Sequence, residues 1–146
     1  SVVKAGKFSE MLQQSVNAYL NGMLTNAEVI QQLLDMAKEI MEARQEGKAL
    51  GLDDEELAFY DALTKPQAIK DFYANDELVA ITRELTDTLR RNRTIDWQKK
   101  DDARARMRRS IKRLLKKHKY PPDEVPEAIE TVMQQCELWV DYGEGN

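Results

Sequence analysis

Residues 93–124, RTIDWQKKDDARARMRRSIKRLLKKHKYPPDE, contain the most strongly patterned helix of the chain. At about 100° per residue, the apolar side chains of this stretch share one arc of about 120°, which predicts a face turned toward a core. The prolines after Tyr120 lack backbone donors, so we expect the helix to begin near Asp96 and to stop before Tyr120. The predicted inward positions are Ala103, Met107, Ile111, Leu114, Leu115 and His118, with Trp97 two turns earlier on the same line.

The opposite side of this helix is a broad cationic band. Its members are Arg106, Arg108, Arg109, Lys112, Arg113, Lys116 and Lys117. Like charges four residues apart repel one another, and no acid follows Asp102 in the band, so we expect it to need partners. Acidic helices of the same domain, an acidic surface of another protein, and phosphates all fit. A plain solvated face is the remaining alternative.

Charged residues at the head of the helix have predicted partners of their own. Arg104 falls inside the apolar arc, so we expect it to pair with a carboxylate or to stack on an aromatic ring. Asp101 and Asp102 suit the positive end of the helix dipole. Their spacing also predicts ion pairs with Arg104 and Arg106 respectively.

Charge is distributed unevenly along the chain. Residues 90–119 contain 14 of the 22 Lys and Arg residues and three Asp, which gives +11. The remaining residues contain 8 basic and 23 acidic side chains, which gives −15. The net charge of −4 therefore conceals two oppositely charged regions and predicts a directional electrostatic surface.

The first three helices are predicted from apolar steps of three and four residues and from capping residues. The first is expected to end near Asn21-Gly22. Thr25 and Glu28 form a capping box that opens a second helix, antiparallel to the first. The apolar stripes of this pair are Phe8, Met11, Leu12, Val16, Tyr19 and Leu20, followed by Val29, Ile30, Leu33, Leu34, Ala37, Ile40 and Met41. Asp53 and Glu56 form a second box that opens a third helix.

The later boundaries follow from proline and from short polar side chains. Residues 65–76, KPQAIKDFYAND, are predicted to form a loop or one loose turn. Asn75 or Asp76 is expected to cap a fourth helix, whose inward residues are Leu78, Ile81, Leu85 and Leu89. Asp123 is expected to cap the last helix, with Pro126 in its first turn.

These patterns predict an all-α fold, a single domain of about six helices in a compact, bundle-like array over residues 1–146. Residues 1–24 form the first helix and its tail, and 141–146 a frayed tail. The chain lacks an apolar run long enough to span a membrane. It begins at Ser1 without a signal-peptide pattern, which indicates a processed chain or a piece of a longer protein. With Cys136 as the only cysteine, a reducing cytoplasm is expected.

Catalytic and cofactor motifs are missing from the sequence. The six glycines form neither a GxxxxGK[ST] nor a GxGxxG loop, so a nucleotide cradle is not expected. His118 is the only histidine, which favours a packing or helix-terminal role over catalysis. Cys136 lies in an apolar stripe and is expected to act as a small hydrophobe. The acidic cluster Asp53–Glu56 is explained by capping rather than by a metal site.

Three motifs together carry a resemblance to a known family. They are LGLDDEELAFYDAL (50–63), ELVAITRELTDTLRRNRTIDW (77–97) and RARMRRSIKRLLKKHKYPPDE (104–124). In this order they resemble the C-terminal region of the R subunit of type I restriction–modification enzymes. The similarity covers about residues 25–140. The first thirty residues or so are generic.

The resemblance implies a parent protein that is an ATP-driven DNA translocase and endonuclease. This chain corresponds to its helical C-terminal domain, so no catalytic, cofactor or metal residue is carried over to it. ATP and Mg are expected to be used by the parent and not by this fragment. The implied partners are the methyltransferase and specificity subunits of the same system, in the cytoplasm.

Two functions stay open from the sequence. The favoured one is a non-catalytic assembly module, in which the cationic band meets an acidic protein surface of the methyltransferase–specificity core. The alternative is a direct, sequence-independent contact between the band and the DNA backbone during translocation. Leu57, Phe59, Tyr60 and Trp97 are expected to be structural anchors in a helical core, with Arg104 beside them.

Overall fold

The computed structural model describes residues 1–94 and 97–143, which form an all-α domain, as the sequence predicts. No strand occurs in these residues. Two short 3-10 turns, Trp97–Lys99 and Pro122–Glu124, precede the last two helices. The helices are α1 (Val2–Leu20), α2 (Asn26–Ala49), α3 (Asp54–Leu63), α4 (Gln67–Phe72), α5 (Asn75–Asn92), α6 (Asp101–Lys117) and α7 (Val125–Gly143).

Helix α3 lies at the centre of the domain. Its residues Ala58–Leu63 are all buried, and α1, α5 and α7 pack around it. The predicted capping box is present, since Asp53 accepts from the backbone N–H of Glu56 at 2.7 Å and Glu56 accepts from that of Asp53 at 3.0 Å. Arg90 of α5 donates to Glu55 at 2.7 Å, so the acidic start of α3 also joins two helices. A helix buried on all sides requires the other helices to be arranged around it.

The second layer is formed by α6, which packs against α5, α7 and the Trp97 turn. The inward residues predicted for α5 (Leu78, Ile81, Leu85 and Leu89) are all buried. Between them, the buried hydroxyls of Thr82 and Thr86 donate to backbone carbonyls one turn earlier, at 2.7 and 2.8 Å. These bonds let two polar side chains lie within an apolar core without an unsatisfied donor.

Residues 67–72 form a short helix, where a loop or one loose turn was predicted over residues 65–76. Pro66 precedes α4, and its missing N–H costs nothing at a helix start, so the proline begins this helix instead of ending one. Ile69 is fully buried, and Tyr73 donates from its hydroxyl to the backbone carbonyl of His118 at 2.6 Å. Tertiary contacts therefore stabilise a helix too short to be recognised from periodicity.

Two predicted helix caps were wrong, and one helix begins later than predicted. Helix α5 begins after Ala74, and neither Asn75 nor Asp76 caps it. Helix α6 begins at Asp101 because the chain first forms the 3-10 turn that buries Trp97; the predicted start at Asp96 lies outside the described residues. Asp123 lies within the 3-10 turn before α7, whose first turn contains Pro126 as expected.

Helices α1 and α2 form an antiparallel hairpin beside this core. A turn at Gly22, with φ of 72°, joins them, and the predicted capping box of Thr25 opens α2. The buried apolar cluster of the domain runs from Leu52 to Cys136 and includes no residue of α1 or α2. Within the hairpin, Ser15 donates to Gln32 at 2.6 Å. The hairpin is therefore attached to the core without contributing to it.

Trp97 provides a test of the core. Its side chain is fully buried, and the indole N–H has no acceptor among the described residues. We expect Trp97→Ala to lower the free energy of unfolding by about 3–5 kcal/mol, since it leaves a large cavity. Trp97→Phe should cost clearly less, because it keeps an aromatic ring and removes the unpaired donor. Chemical denaturation measures both, and equal losses would contradict this description of the site.

Candidate functional site: the cationic face of helix α6

The inner face of α6 is the predicted apolar arc. Ala103, Met107, Ile111, Leu114 and Leu115 are buried. His118, predicted at the end of this arc, is half-buried and follows the last turn of the helix as its C-cap. The outer face is therefore presented to solvent. Acidic Asp101 and Asp102 in the first turn and basic Lys116 and Lys117 in the last turn match the helix dipole.

One edge of the cationic face is tied to α7. Arg104 donates to Glu137 at 2.8 Å, and its guanidinium lies 5.9 Å from the centre of the Trp97 ring. Both predicted partners of Arg104, a carboxylate and an aromatic ring, are thus present. One turn later, Arg108 forms an ion pair with Glu130. The predicted pairing of Arg104 with Asp101 was wrong, because the guanidinium forms its ion pair with Glu137 on the neighbouring helix instead.

The other edge is tied to α5 through one carboxylate. Lys117 donates to Glu84 at 2.6 Å, and Nε2 of His118 lies 2.6 Å from the second oxygen of the same carboxylate. These hydrogen bonds, from Lys117 first and His118 second, lower the pKa of Glu84 below its ordinary value of 4.5. His118 is therefore held at the helix terminus by an acid of α5, in a structural role.

The centre of the face carries the remaining predicted contact residues. Arg106, Arg109, Lys112, Arg113 and Lys116 are all exposed. On a wheel of about 100° per residue, these five lie opposite the apolar arc, between the two tied edges. Across residues 1–94 and 97–138, none of them has a carboxylate partner, and the predicted pair of Arg106 with Asp102 does not form. We call these five residues the cationic centre of α6.

The other predicted anchors lie in the core. Phe59 and Tyr60 are buried in α3, and Leu57 is half-buried beside them. Cys136 is buried in α7, and burial, followed by the nearby Glu137, raises the pKa of its thiol to about 12. A thiol with so high a pKa is a poor nucleophile at neutral pH, in agreement with a packing role.

Sequence patterns did not identify Asp61 as a structurally important residue. Its carboxyl group is buried in α3, with an oxygen 3.4 Å from Nζ of Lys4 in α1. Burial raises its pKa, and the Lys4 ammonium group opposes that effect. The available signal was a single charge in the otherwise uncharged run LAFYDALT, residues 57–64. This pair attaches the hairpin to the central helix.

The described residues contain neither a metal-binding cluster nor a membrane-spanning helix. Within the described parts of the chain, no three His, Cys, Asp or Glu side chains lie together as a metal site would require. None of the helices described combines the length and apolar character needed to cross a bilayer.

Comparison with known proteins gives the same family as the three motifs. The family described as "Type I restriction enzyme HindI endonuclease subunit-like, C-terminal" matches residues 1–141. The chain belongs to this family. The resemblance inferred from its motifs is confirmed, and it extends over the first helix as well as over residues 25–140.

Two proteins similar to this chain are named as endonuclease subunits of type I restriction enzymes. The type I restriction enzyme HindI endonuclease subunit of Haemophilus influenzae is 43% identical over 130 residues, which cover 89% of this chain and 12% of the relative. A Methanocaldococcus jannaschii protein named as the MjaIXP endonuclease subunit of a type I restriction enzyme is 36% identical over 118 residues, or 79% of this chain and 11% of the relative. The chain thus spans about an eighth of these subunits. No solved structure matches it.

The Glu84 bridge gives a pH-dependent prediction. A carboxyl group whose folded-state pKa is lowered contributes stability above its unfolded pKa and loses that contribution as the pH falls through the folded value. At neutral pH we expect Glu84→Gln to lower the free energy of unfolding by less than about 1 kcal/mol, because Glu84, Lys117 and His118 are all partly exposed. Below the lowered pKa of Glu84 the substitution should leave the free energy of unfolding unchanged. Glu10→Gln, at an exposed site on α1, is the control. A cost for Glu84→Gln that does not vary with pH would contradict the bridge.

Proposed function

We propose that this domain docks the endonuclease subunit on the methyltransferase and specificity subunits of its restriction system, and that the cationic centre of α6 makes the contact. The observation that supports the proposal is the lack of carboxylate partners for Arg106, Arg109, Lys112, Arg113 and Lys116 among the described residues. Both edges of the same face are neutralised by Glu84, Glu130 and Glu137. An acidic surface on a partner would relieve the mutual repulsion of the five cations that remain.

The dimensions of the cationic centre suit a protein contact. From Arg106 to Lys116 the helix rises about 15 Å. A surface of this length can form part of the patch that one partner contributes to a protein–protein interface. Arginine is enriched at such interfaces, and a rigid helix held on both edges loses little conformational entropy on binding. The residues outside 90–119 carry −15, so the rest of the domain would repel a nucleic acid and not a partner of mixed charge.

A second candidate is a direct contact with the DNA backbone. Five exposed cations on one helix face, without an interleaved acid, also match a row of phosphates. Such a contact would be independent of sequence and would support a translocating motor. We rank it second because of the acidic remainder of the domain.

Catalysis is proposed to lie elsewhere in the parent subunit. The described residues offer neither a glycine-rich phosphate cradle nor a cluster of acidic ligands, so this domain does not fit ATP or Mg²⁺. We assign the ATP-driven translocase and nuclease functions to the rest of the parent and a non-catalytic role to this domain. A cytoplasmic location suits a protein whose single cysteine is a buried thiol.

The contact can be tested with two matched double variants. Lys112→Glu with Lys116→Glu reverses two charges of the cationic centre. Lys38→Glu with Lys70→Glu reverses two exposed charges on other helices and changes the net charge by the same amount. We expect the first variant to slow association with the methyltransferase–specificity complex by about tenfold or more at low salt, and the second to change it much less. Stopped-flow or surface-based kinetics measure both.

Two outcomes would contradict the assembly role of α6. One is equal slowing by both double variants, which would indicate a general charge effect. The other is submicromolar, sequence-independent duplex binding at physiological salt that Lys112→Glu with Lys116→Glu abolishes. In that second case, the logarithm of duplex affinity should fall against the logarithm of salt concentration with a slope of about −0.9 per phosphate contact, and the variant should flatten it.

A further inference from the structure

The α1–α2 hairpin carries a large apolar surface that none of the described residues covers. The cationic face of α6 has no part in it. Most of the strongly exposed apolar side chains of the described chain lie on these two helices and their turn. They are Leu12, Val16, Tyr19 and Leu20 of α1, Met23 of the turn, and Ile30, Leu33, Leu34, Ile40 and Met41 of α2, with exposed fractions between 38% and 76%.

These side chains form one continuous face. On a wheel of about 100° per residue, the side of α1 that meets α2 is centred near Ser15, and the exposed apolar residues are displaced from it in one direction. In α2 the contact side is centred near Met36, and the exposed apolar residues are displaced in the same rotational sense. Because the two helices are antiparallel, equal rotations bring both stripes to the same side of the hairpin. We call this side the apolar face of the hairpin; Ala37 lies at its centre.

The apolar face lacks charge over most of its length. Between Leu12 and Leu20 on α1, and between Ile30 and Met41 on α2, the side chains on this arc are uncharged. Arg44 and Lys48 enter the arc only at the end of α2 that adjoins the core. The opposite side of the hairpin is polar, with Lys7 beside Glu39 at 3.9 Å. The hairpin is thus amphipathic, with its apolar side facing away from its salt bridges.

The character of this face indicates a permanent contact. A soluble monomer seldom exposes so many contiguous large apolar side chains. Interfaces that open and close keep a polar rim, whereas obligate ones resemble a hydrophobic core cut in half. On the apolar face the side chains between Ile30 and Met41 are uncharged, which is typical of an obligate interface. Moreover, the chain corresponds to only 12% and 11% of the two full-length relatives, so most of such a subunit lies outside it.

We propose that the apolar face of the hairpin is covered by an amphipathic helix from the remainder of the same endonuclease subunit. Two neighbouring helices leave a groove between them into which a third helix can pack, completing a three-helix arrangement. The exposed stripe of α2 from Ile30 to Met41 is about 16 Å long, which accommodates about three turns of such a helix. The contact lies within one subunit and is independent of the docking role proposed for α6.

The proposal can be tested by the reactivity of single cysteines. Ala37→Cys introduces a thiol at the centre of the apolar face, and Gln31→Cys introduces one on another side of α2, where Gln31 bonds Asp35 at 2.9 Å. Cys136 is buried with a raised pKa and contributes no rapid background. Modification by a small maleimide is timed in the isolated chain and in the intact endonuclease subunit that contains this domain.

We expect Ala37→Cys to react at least about tenfold more slowly in the intact subunit than in the isolated chain, with the rate at Gln31→Cys changed about twofold or less. Adding Lys112→Glu and Lys116→Glu should leave both rates unchanged, so the outcome does not depend on the docking role of α6. Circular dichroism confirms that each variant folds.

Several results would overturn the proposal. Equal rates for Ala37→Cys in the chain and in the intact subunit would show that the remainder of the subunit does not cover the face. Protection that appears only when the methyltransferase–specificity complex is added would assign the face to another subunit. Protection in the isolated chain that rises with its concentration would assign it to a second copy. Equal slowing at both positions would indicate unspecific shielding.

Discussion

The structure depends on the burial of the last six residues of helix α3, Ala58–Leu63. Phe59 and Leu63 have at most 1% of their surface exposed, and the hydroxyl of Tyr120 donates to the backbone carbonyl of Leu63 at 2.6 Å. A helical segment that is buried on every side restricts how the other helices can pack around it. Asp61, the charged residue within its buried run, is matched by Lys4 of α1. The same helix therefore organises the core formed by α5 and α7 and anchors the hairpin beside it.

Two surfaces result from this arrangement, and their chemistry differs. The cationic centre of α6 is polar and lies between two edges held by ion pairs to α5 and α7, so the contact proposed for it would depend on charge and weaken with salt. Burial of the apolar face of the hairpin would stabilise a contact in proportion to the area removed from water, and salt would change that stabilisation little. The first surface suits a contact between subunits that assemble, and the second suits a contact made once, during folding of a subunit. Together, the two proposals give this small domain the role of connecting the larger part of its own subunit to other subunits.

Much of the fold follows from the sequence, because local rules apply where the helices are long or well capped. The capping boxes at Thr25 and Asp53 and the apolar arc of α6 were predicted correctly for this reason. Helix α4 was not, since Ile69 is held by contacts distant in sequence. Periodicity also cannot tell what covers an apolar stripe, so the exposure of the hairpin became evident only in three dimensions. The cationic band was visible in the sequence, but its division into tied edges and an unpaired centre required the positions of Glu84, Glu130 and Glu137.

Hydrogen exchange measured by mass spectrometry tests whether this domain has two faces with two different partners. Exchange is followed in the isolated chain, in the intact endonuclease subunit, and in that subunit with the methyltransferase–specificity core. We expect peptides from residues 12–41 to exchange more slowly as soon as the domain is part of the intact subunit. Peptides from residues 104–117 should slow further only when the core is added. Two results would contradict these expectations. One is equal exchange of the hairpin in the isolated chain and in the intact subunit. The other is unchanged exchange of α6 when the methyltransferase–specificity complex is added.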